Sequence, residues 1–183
     1  DPASVIGEKL ANRVLRDEAW AREKLHPHAG RSFTLACGPV SSGYTVRDDG
    51  TLGPRQTVTT FGKGIFPDGL AFDAEGHAWV VSIVSNSIVR VAPDGAQSPV
   101  LEDADPAHVD WVEAAYLSGT MGRPHLDKAA GRVLRNISSI AFGGPSLRTA
   151  YLGCLLDQRL PTFDAPVAGH PPTHWRRQAR IFG

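Results

Sequence analysis

Two hydrophobic periods share this chain. From Ser4 to Leu25 the apolar residues recur at helical spacing. Val5, Ile6, Leu10 and Val14 follow a capping Ser4, and Ala21 and Leu25 lie one turn apart after Asp17. Pro27 and Gly30 stop helix formation. From Arg31 the period shortens to two. Phe33, Leu35 and Cys37 alternate with Ser32, Thr34 and Ala36, and Tyr44 and Val46 begin a partner strand ending at Asp48-Asp49-Gly50. Residues 51–63 are polar and Thr-rich, with one candidate strand from Gln56 to Phe61. The change of pattern places a boundary there, between a helix-plus-hairpin segment over 1–53 and a second unit over 54–183.

The second unit opens as a meander. Gly69-Leu70-Ala71-Phe72, Ala78-Trp79-Val80-Val81 and Ile88-Val89-Arg90-Val91 are short apolar strands. Asp73-Ala74-Glu75-Gly76, Ser85-Asn86 and Pro93-Asp94-Gly95 are the turns that separate and close them. The pattern returns at Ser139-Ile140-Ala141-Phe142-Gly143-Gly144-Pro145, followed by Thr149–Gly153 and a third strand within Arg159–Phe163. Between the copies Asp105 caps a helix. Pro106 suits its first turn, Val109, Val112 and Tyr116 share a face, and Gly119 ends it. Two strand-meander copies with one enlarged connection predict a mainly β fold of the propeller type.

Composition sharpens this reading. The chain has 183 residues, with 19 Gly and 14 Pro, punctuation that suits many short elements. Lys+Arg and Asp+Glu are balanced at 19 each, against a protein that binds nucleic acid or a membrane surface through bulk charge. No apolar run reaches the roughly 20 residues needed to span a bilayer. No signal peptide is visible, so a cytoplasmic location is the default expectation, although the N-terminus begins at Asp1 and can be processed. Cys37 and Cys154 match no zinc or redox spacing.

The run Phe66-Pro67-Asp68-Gly69-Leu70-Ala71-Phe72-Asp73-Ala74-Glu75-Gly76-His77-Ala78-Trp79-Val80 resembles a late-blade signature of the senescence marker protein/gluconolactonase-like (regucalcin-like) family. Asn136–Gly144 resembles the start of that family's following blade, and Leu152–Pro172 is similar to bacterial members' C-terminal ends. Together these motifs cover about residues 61–175. The resemblance implies a six-bladed propeller, lactone or ester hydrolysis, and a divalent metal (Ca²⁺, Zn²⁺ or Mn²⁺) near the central axis. This chain supplies the equivalent of two or so blades, hence a partial propeller with a helical N-terminal segment and one inserted helix. Over residues 1–53, Asn12–Leu25 and His28–Arg31 resemble a sterol-carrier-like ubiquinone-biosynthesis accessory protein.

Asp68 is the expected catalytic and metal-binding residue, by resemblance at the Pro-Asp-Gly position. The physical reason stands beside it: a carboxylate between Pro67 and Gly69 sits where a strand begins, and hard cations take oxygen ligands. A plain turn aspartate is the competing reading. The family's other metal ligands have no matching residue here, so no role passes to Glu18 or Asn86. Asp73, Glu75 and Asp94 read as structural turn residues, His77 as a surface side chain, Trp79 as core and Trp111 as the anchor of the inserted helix. His108, His125, His170 and His174 fit no zinc spacing. Gly62-Lys63-Gly64 lacks the spacing of a phosphate loop, and Arg176–Arg180 reads as a solvated basic tail. The resulting expectation is a metal-dependent hydrolase of a small-molecule lactone or ester. Its alternative is a non-catalytic binding or scaffold module. Open blade edges also invite self-association.

Overall fold

A computed structural model describes residues 32–37, 40–45, 47–49, 51–128 and 130–171. The helices expected over 4–25, His174 and the basic tail lie outside the described residues. Among the described residues ten strands form three antiparallel sheets. The first joins β1 (Ser32–Cys37), β2 (Val40–Thr45) and β3 (Gln56–Thr60), with Phe33 opposite Tyr44; β2 begins at Val40, ahead of Tyr44, where the alternation places its start. The second is a four-stranded meander of β4 (Pro67–Phe72), β5 (Ala78–Ser82), β6 (Ser87–Val91) and β7 (Gln97–Glu102). The third is a meander of β8 (Ile137–Gly143), β9 (Thr149–Cys154) and β10 (Thr162–Asp164). Among the described residues no sheet closes into a barrel. The arrangement is a partial β-propeller, mainly β, as the meander pattern required.

The four-stranded sheet is the middle layer, which explains why its inner strands read as continuous apolar runs. Trp79, Val81 and Ile88 face the third sheet and pack on Ile137, Ile140, Ala150 and Leu152. Ala78, Val80, Val89 and Val91 face the other way, onto Phe61 and Val58. A strand buried on both faces loses the polar half of its alternation. Trp79 is fully buried, with Phe142 edge-on at 5.2 Å and Phe163 stacked at 6.3 Å between centroids.

Strand β7 was not legible in the sequence. Pro99 lies within it and cannot donate to a ladder, but β7 is an edge strand and pairs only with β6. The inserted helix forms as its caps demand. Helix α1 (Pro106–Leu117) starts at Asp105, whose side chain accepts from the Ala107 and His108 amides, and Gly119 takes a left-handed φ of 69° just after its end. A short helix α2 (Arg123–Leu126) follows. The buried Val112, with Val109, packs α1 on Ile83 and Val84 of the β5–β6 turn and on Phe66 before β4. The helix therefore sits at the end of the middle sheet where β4 begins.

Candidate functional site around Asp68

Asp68 is set by a local irregularity. Regular pairing of β4 with β5 is interrupted between Pro67, opposite Ser82, and Leu70, opposite Val80, so Asp68 and Gly69 lie in a bulge. The backbones of β4 and β8 meet there. A Cβ on Gly69 would stand 2.4 Å from the Ser138 carbonyl oxygen and 2.9 Å from the Ser139 Cα. Only glycine permits that approach, and its neighbour Asp68 is thereby carried to the seam between the first strands of two sheets.

The Asp68 side chain is exposed, yet desolvation raises its pKa above the ordinary carboxylate value. The close β4–β8 approach beside Gly69 crowds one side of the carboxylate while the other stays open to solvent. Among the described residues no hydrogen bond or ion pair reaches the carboxylate, so nothing offsets that cost. An uncompensated carboxylate at this seam is available to a ligand, a cation or a proton.

The second acidic group is different. Asp73, Glu75 and His77 bring ligand atoms within 4.8 Å of one another, a spacing a metal could use. Asp73 is already saturated. Its Oδ1 accepts from the Glu75 amide (3.0 Å) and the His77 amide (2.9 Å), and its Oδ2 from Trp79 Nε1 (2.9 Å) and Arg90 Nε (2.7 Å). Arg90 also reaches Glu75 Oε2 at 2.6 Å and His77 Nδ1 at 3.0 Å. The guanidinium is the cation of this cluster. Desolvation pushes the Asp73 pKa up, but the Trp79, His77 and Arg90 contacts outweigh it and hold the carboxyl below its ordinary value. Asp73 is thus a structural turn residue, as the sequence indicated. His77 is half-buried in the network rather than a free surface side chain.

Other residues singled out earlier fall into place around these two. Ser138 bonds weakly from its hydroxyl to the Gly153 carbonyl at 3.4 Å and, among the described residues, pairs with no histidine. His108 and His125, distant in sequence, both meet Trp111, at 5.6 and 4.2 Å between centroids. Trp111 itself is 42% exposed and does not anchor α1; Val112 and Ala115 do that, and Trp111 stacks α2 onto α1. His170 donates its amide to the Phe72 carbonyl. Sequence reasoning missed Asp103. Its carboxylate accepts the Arg132, Val133 and Leu134 amides at 3.1, 2.8 and 2.7 Å and so leads the chain into the third sheet. No motif marks such a clasp, because its partners are backbone groups about thirty residues away.

Residues 41–103 match the SMP-30/Gluconolactonase/LRE-like region, which bears out the family resemblance over a stretch that includes Asp68. Among solved structures, the chain is similar to a luciferin-regenerating enzyme at 17% identity and a TM-score of 0.45, covering 75% of this chain and 38% of that one. It is likewise similar to a candidate gluconolactonase at 17% identity and a TM-score of 0.48, covering 76% of this chain and 37% of that one. The chain thus spans less than two-fifths of the length of either structure. No curated protein matches. Among the described residues no helix is long and apolar enough to cross a membrane.

Proposed function

We propose that this protein hydrolyses lactones or related esters, with Asp68 as the catalytic carboxylate. The observation that carries the reading is the Asp68 carboxylate at the β4–β8 seam, exposed and with no hydrogen bond or ion pair among the described residues, inside the segment that matches a gluconolactonase-type region. A carboxylate with a raised pKa is a better proton acceptor than one in open water. It takes a proton from the water that attacks the lactone carbonyl carbon. The acyl–oxygen bond then breaks, the ring oxygen leaves with that proton, and the product is the open-chain hydroxy acid.

A divalent cation fits the donor type that Asp68 presents. Asp68 belongs to no group of three potential ligands among the described residues, so this carboxylate would hold the ion together with water and substrate oxygens, as Mg²⁺-type sites do. When bound, such an ion polarises a carbonyl and acidifies water. Asp73, Glu75 and His77 do not fit the role, because Arg90 and the turn amides already occupy their ligand atoms.

The test compares hydrolysis of a lactone by the wild type and Asp68→Asn in a pH-stat, with Ca²⁺, Zn²⁺ or Mn²⁺ added in turn. General-base loss predicts a drop in kcat of roughly 10²-fold or more. Equal rates in the two proteins remove Asp68 from the mechanism. A second reading, a non-catalytic binding or scaffold module, draws on the Arg90-filled Asp73 cluster and on the single carboxylate at Asp68. No hydrolysis by the wild type, with no calorimetric heat on metal titration, favours that module.

A further inference from the structure

The hairpin end from Ser82 to Ser87 holds the starts of two strands at once. On one side it grips the approach to β4. Ser82 is fully buried, and its hydroxyl accepts from the Phe66 amide at 2.9 Å and donates to the Gly64 carbonyl at 3.2 Å. The Ile83 amide donates to the Phe66 carbonyl at 3.1 Å. Behind Ser82, the buried Ser85 donates its hydroxyl to Ser82 at 2.7 Å and meets the buried Ser87 hydroxyl at 2.6 Å. Ser85 gives its proton to Ser82, so Ser87 is the donor of the second bond. The three hydroxyls point one way, towards Gly64, and polarise one another. Ser82 also stands opposite Pro67 in the register, one residue before Asp68.

On the other side the same hairpin end fixes the start of β8. Asn86 is fully buried and takes a left-handed φ of 45°, a conformation asparagine tolerates better than most residues. Its side-chain Oδ1 accepts from the Ile137 amide at 3.1 Å, and its backbone carbonyl accepts from the Asp103 amide at 3.1 Å. Ile137 precedes Ser138, whose carbonyl oxygen is the atom that crowds Gly69. A path of contacts therefore runs from Asn86 through Ile137 and Ser138 to Gly69, the neighbour of Asp68. Strands β4 and β8 belong to different sheets, and no ladder joins them among the described residues. Apolar packing presses the two sheets together but has no direction. Hydrogen bonds that reach both strands from one turn are what can fix their offset.

We propose that Ser82 and Asn86 are positioning residues for Asp68, setting the β4–β8 seam from its two sides. Neither side chain needs to touch a substrate, because each acts through the backbone it holds. This deepens the hydrolase reading: the kinetic consequence rests on that reading, whereas the geometry of the seam does not. A displacement of the carboxylate by about 1 Å is enough to cost roughly 10²-fold in rate.

The experiment uses the full chain as wild type, Ser82→Ala, Asn86→Gly and Val91→Ala. Glycine keeps the left-handed φ at position 86 and deletes the acceptor. Val91 is buried on the opposite face of the middle sheet, so Val91→Ala lowers stability without touching the turn. Urea melts verify that each variant folds. The seam is read by the NMR cross-peak between the Hα protons of Gly69 and Ser139, whose backbones meet there. The cross-peak is expected in wild type, weakened in Ser82→Ala and Asn86→Gly, and kept in Val91→Ala. With glucono-δ-lactone and Ca²⁺, kcat should fall about ten- to 10²-fold in the two turn variants while KM holds. An unmoved cross-peak in both turn variants, or an equal loss in Val91→Ala, overturns the proposal. A weakened cross-peak with kcat unchanged overturns the positioning role in hydrolysis. If wild type is inactive, the hydrolase reading fails alone, and the cross-peak decides the role of the turn. If one turn variant does not fold, the other decides. If neither folds, the scalar coupling across the Asn86 Oδ1 to Ile137 N–H bond in wild type replaces them: its presence supports the proposal, and its absence overturns it.

Discussion

Replacing Asp73 by alanine should be the most damaging single change in the middle sheet. The side chain is fully buried and accepts four hydrogen bonds: two from the turn it opens, one from Trp79 and one from Arg90. Alanine strands the Trp79 Nε1–H in the core and leaves Arg90, 20% exposed, with only the exposed Glu75 as a charged partner. Removing one member of a buried pair costs about 3–5 kcal/mol, and the four bonds do not add to more because the turn relaxes as a unit. That is a large part of the 5–15 kcal/mol that stabilises an ordinary domain. With a urea m-value of about 2 kcal/mol/M, the midpoint should fall by roughly 1.5–2.5 M at pH 7.

The same group sets an acid limb. Its folded pKa is depressed, so its stabilisation is complete above the unfolded value of about 3.9 and is lost as pH falls through the lower folded value. Asp73→Ala should flatten that limb. The assay is urea unfolding followed by Trp fluorescence between pH 7 and the acid transition. Arg90→Leu supplies the second edge of a double-mutant cycle. A midpoint shift below about 0.5 M, or an acid limb that persists in Asp73→Ala, would refute the network argument.

Two further outcomes follow from single atoms. Gly69→Ala would force a methyl against the Ser138 carbonyl and part β4 from β8, so it should cost about 1–3 kcal/mol in urea unfolding and lower hydrolysis together with stability; a neutral effect on both would sink the seam at Asp68. His108 is buried with Nδ1 unpartnered, and desolvation, aided by Lys128, depresses its pKa. The unfolded chain then binds the extra proton below about pH 6.5, so stability should decline as pH falls from there towards the lower folded value. His108→Leu should remove that decline, as read from urea midpoints at pH 7 and pH 5.

Much of this was written in the chain itself. Alternation marked β1, the turn residues divided β4, β5 and β6, and Asp105 with Pro106 announced α1. Asp68 was legible because it sits inside a local motif, and Asp73 read as a turn residue for the same reason. These features depend on residues within a few positions of one another, where propensity and capping act. What the fold alone decided involves groups far apart in sequence. Arg90 fills the Asp73–Glu75–His77 cluster, Asp103 clasps backbone amides about thirty residues on, and His125 of α2 stacks on the exposed Trp111 of α1. The bulge that carries Asp68 to the β4–β8 seam, and the helix laid beside it, also depend on packing between sheets. Local spacing marks which side chains carry chemistry, whereas their charge partners, hydration and walls are set by whatever surface the folded chain brings against them.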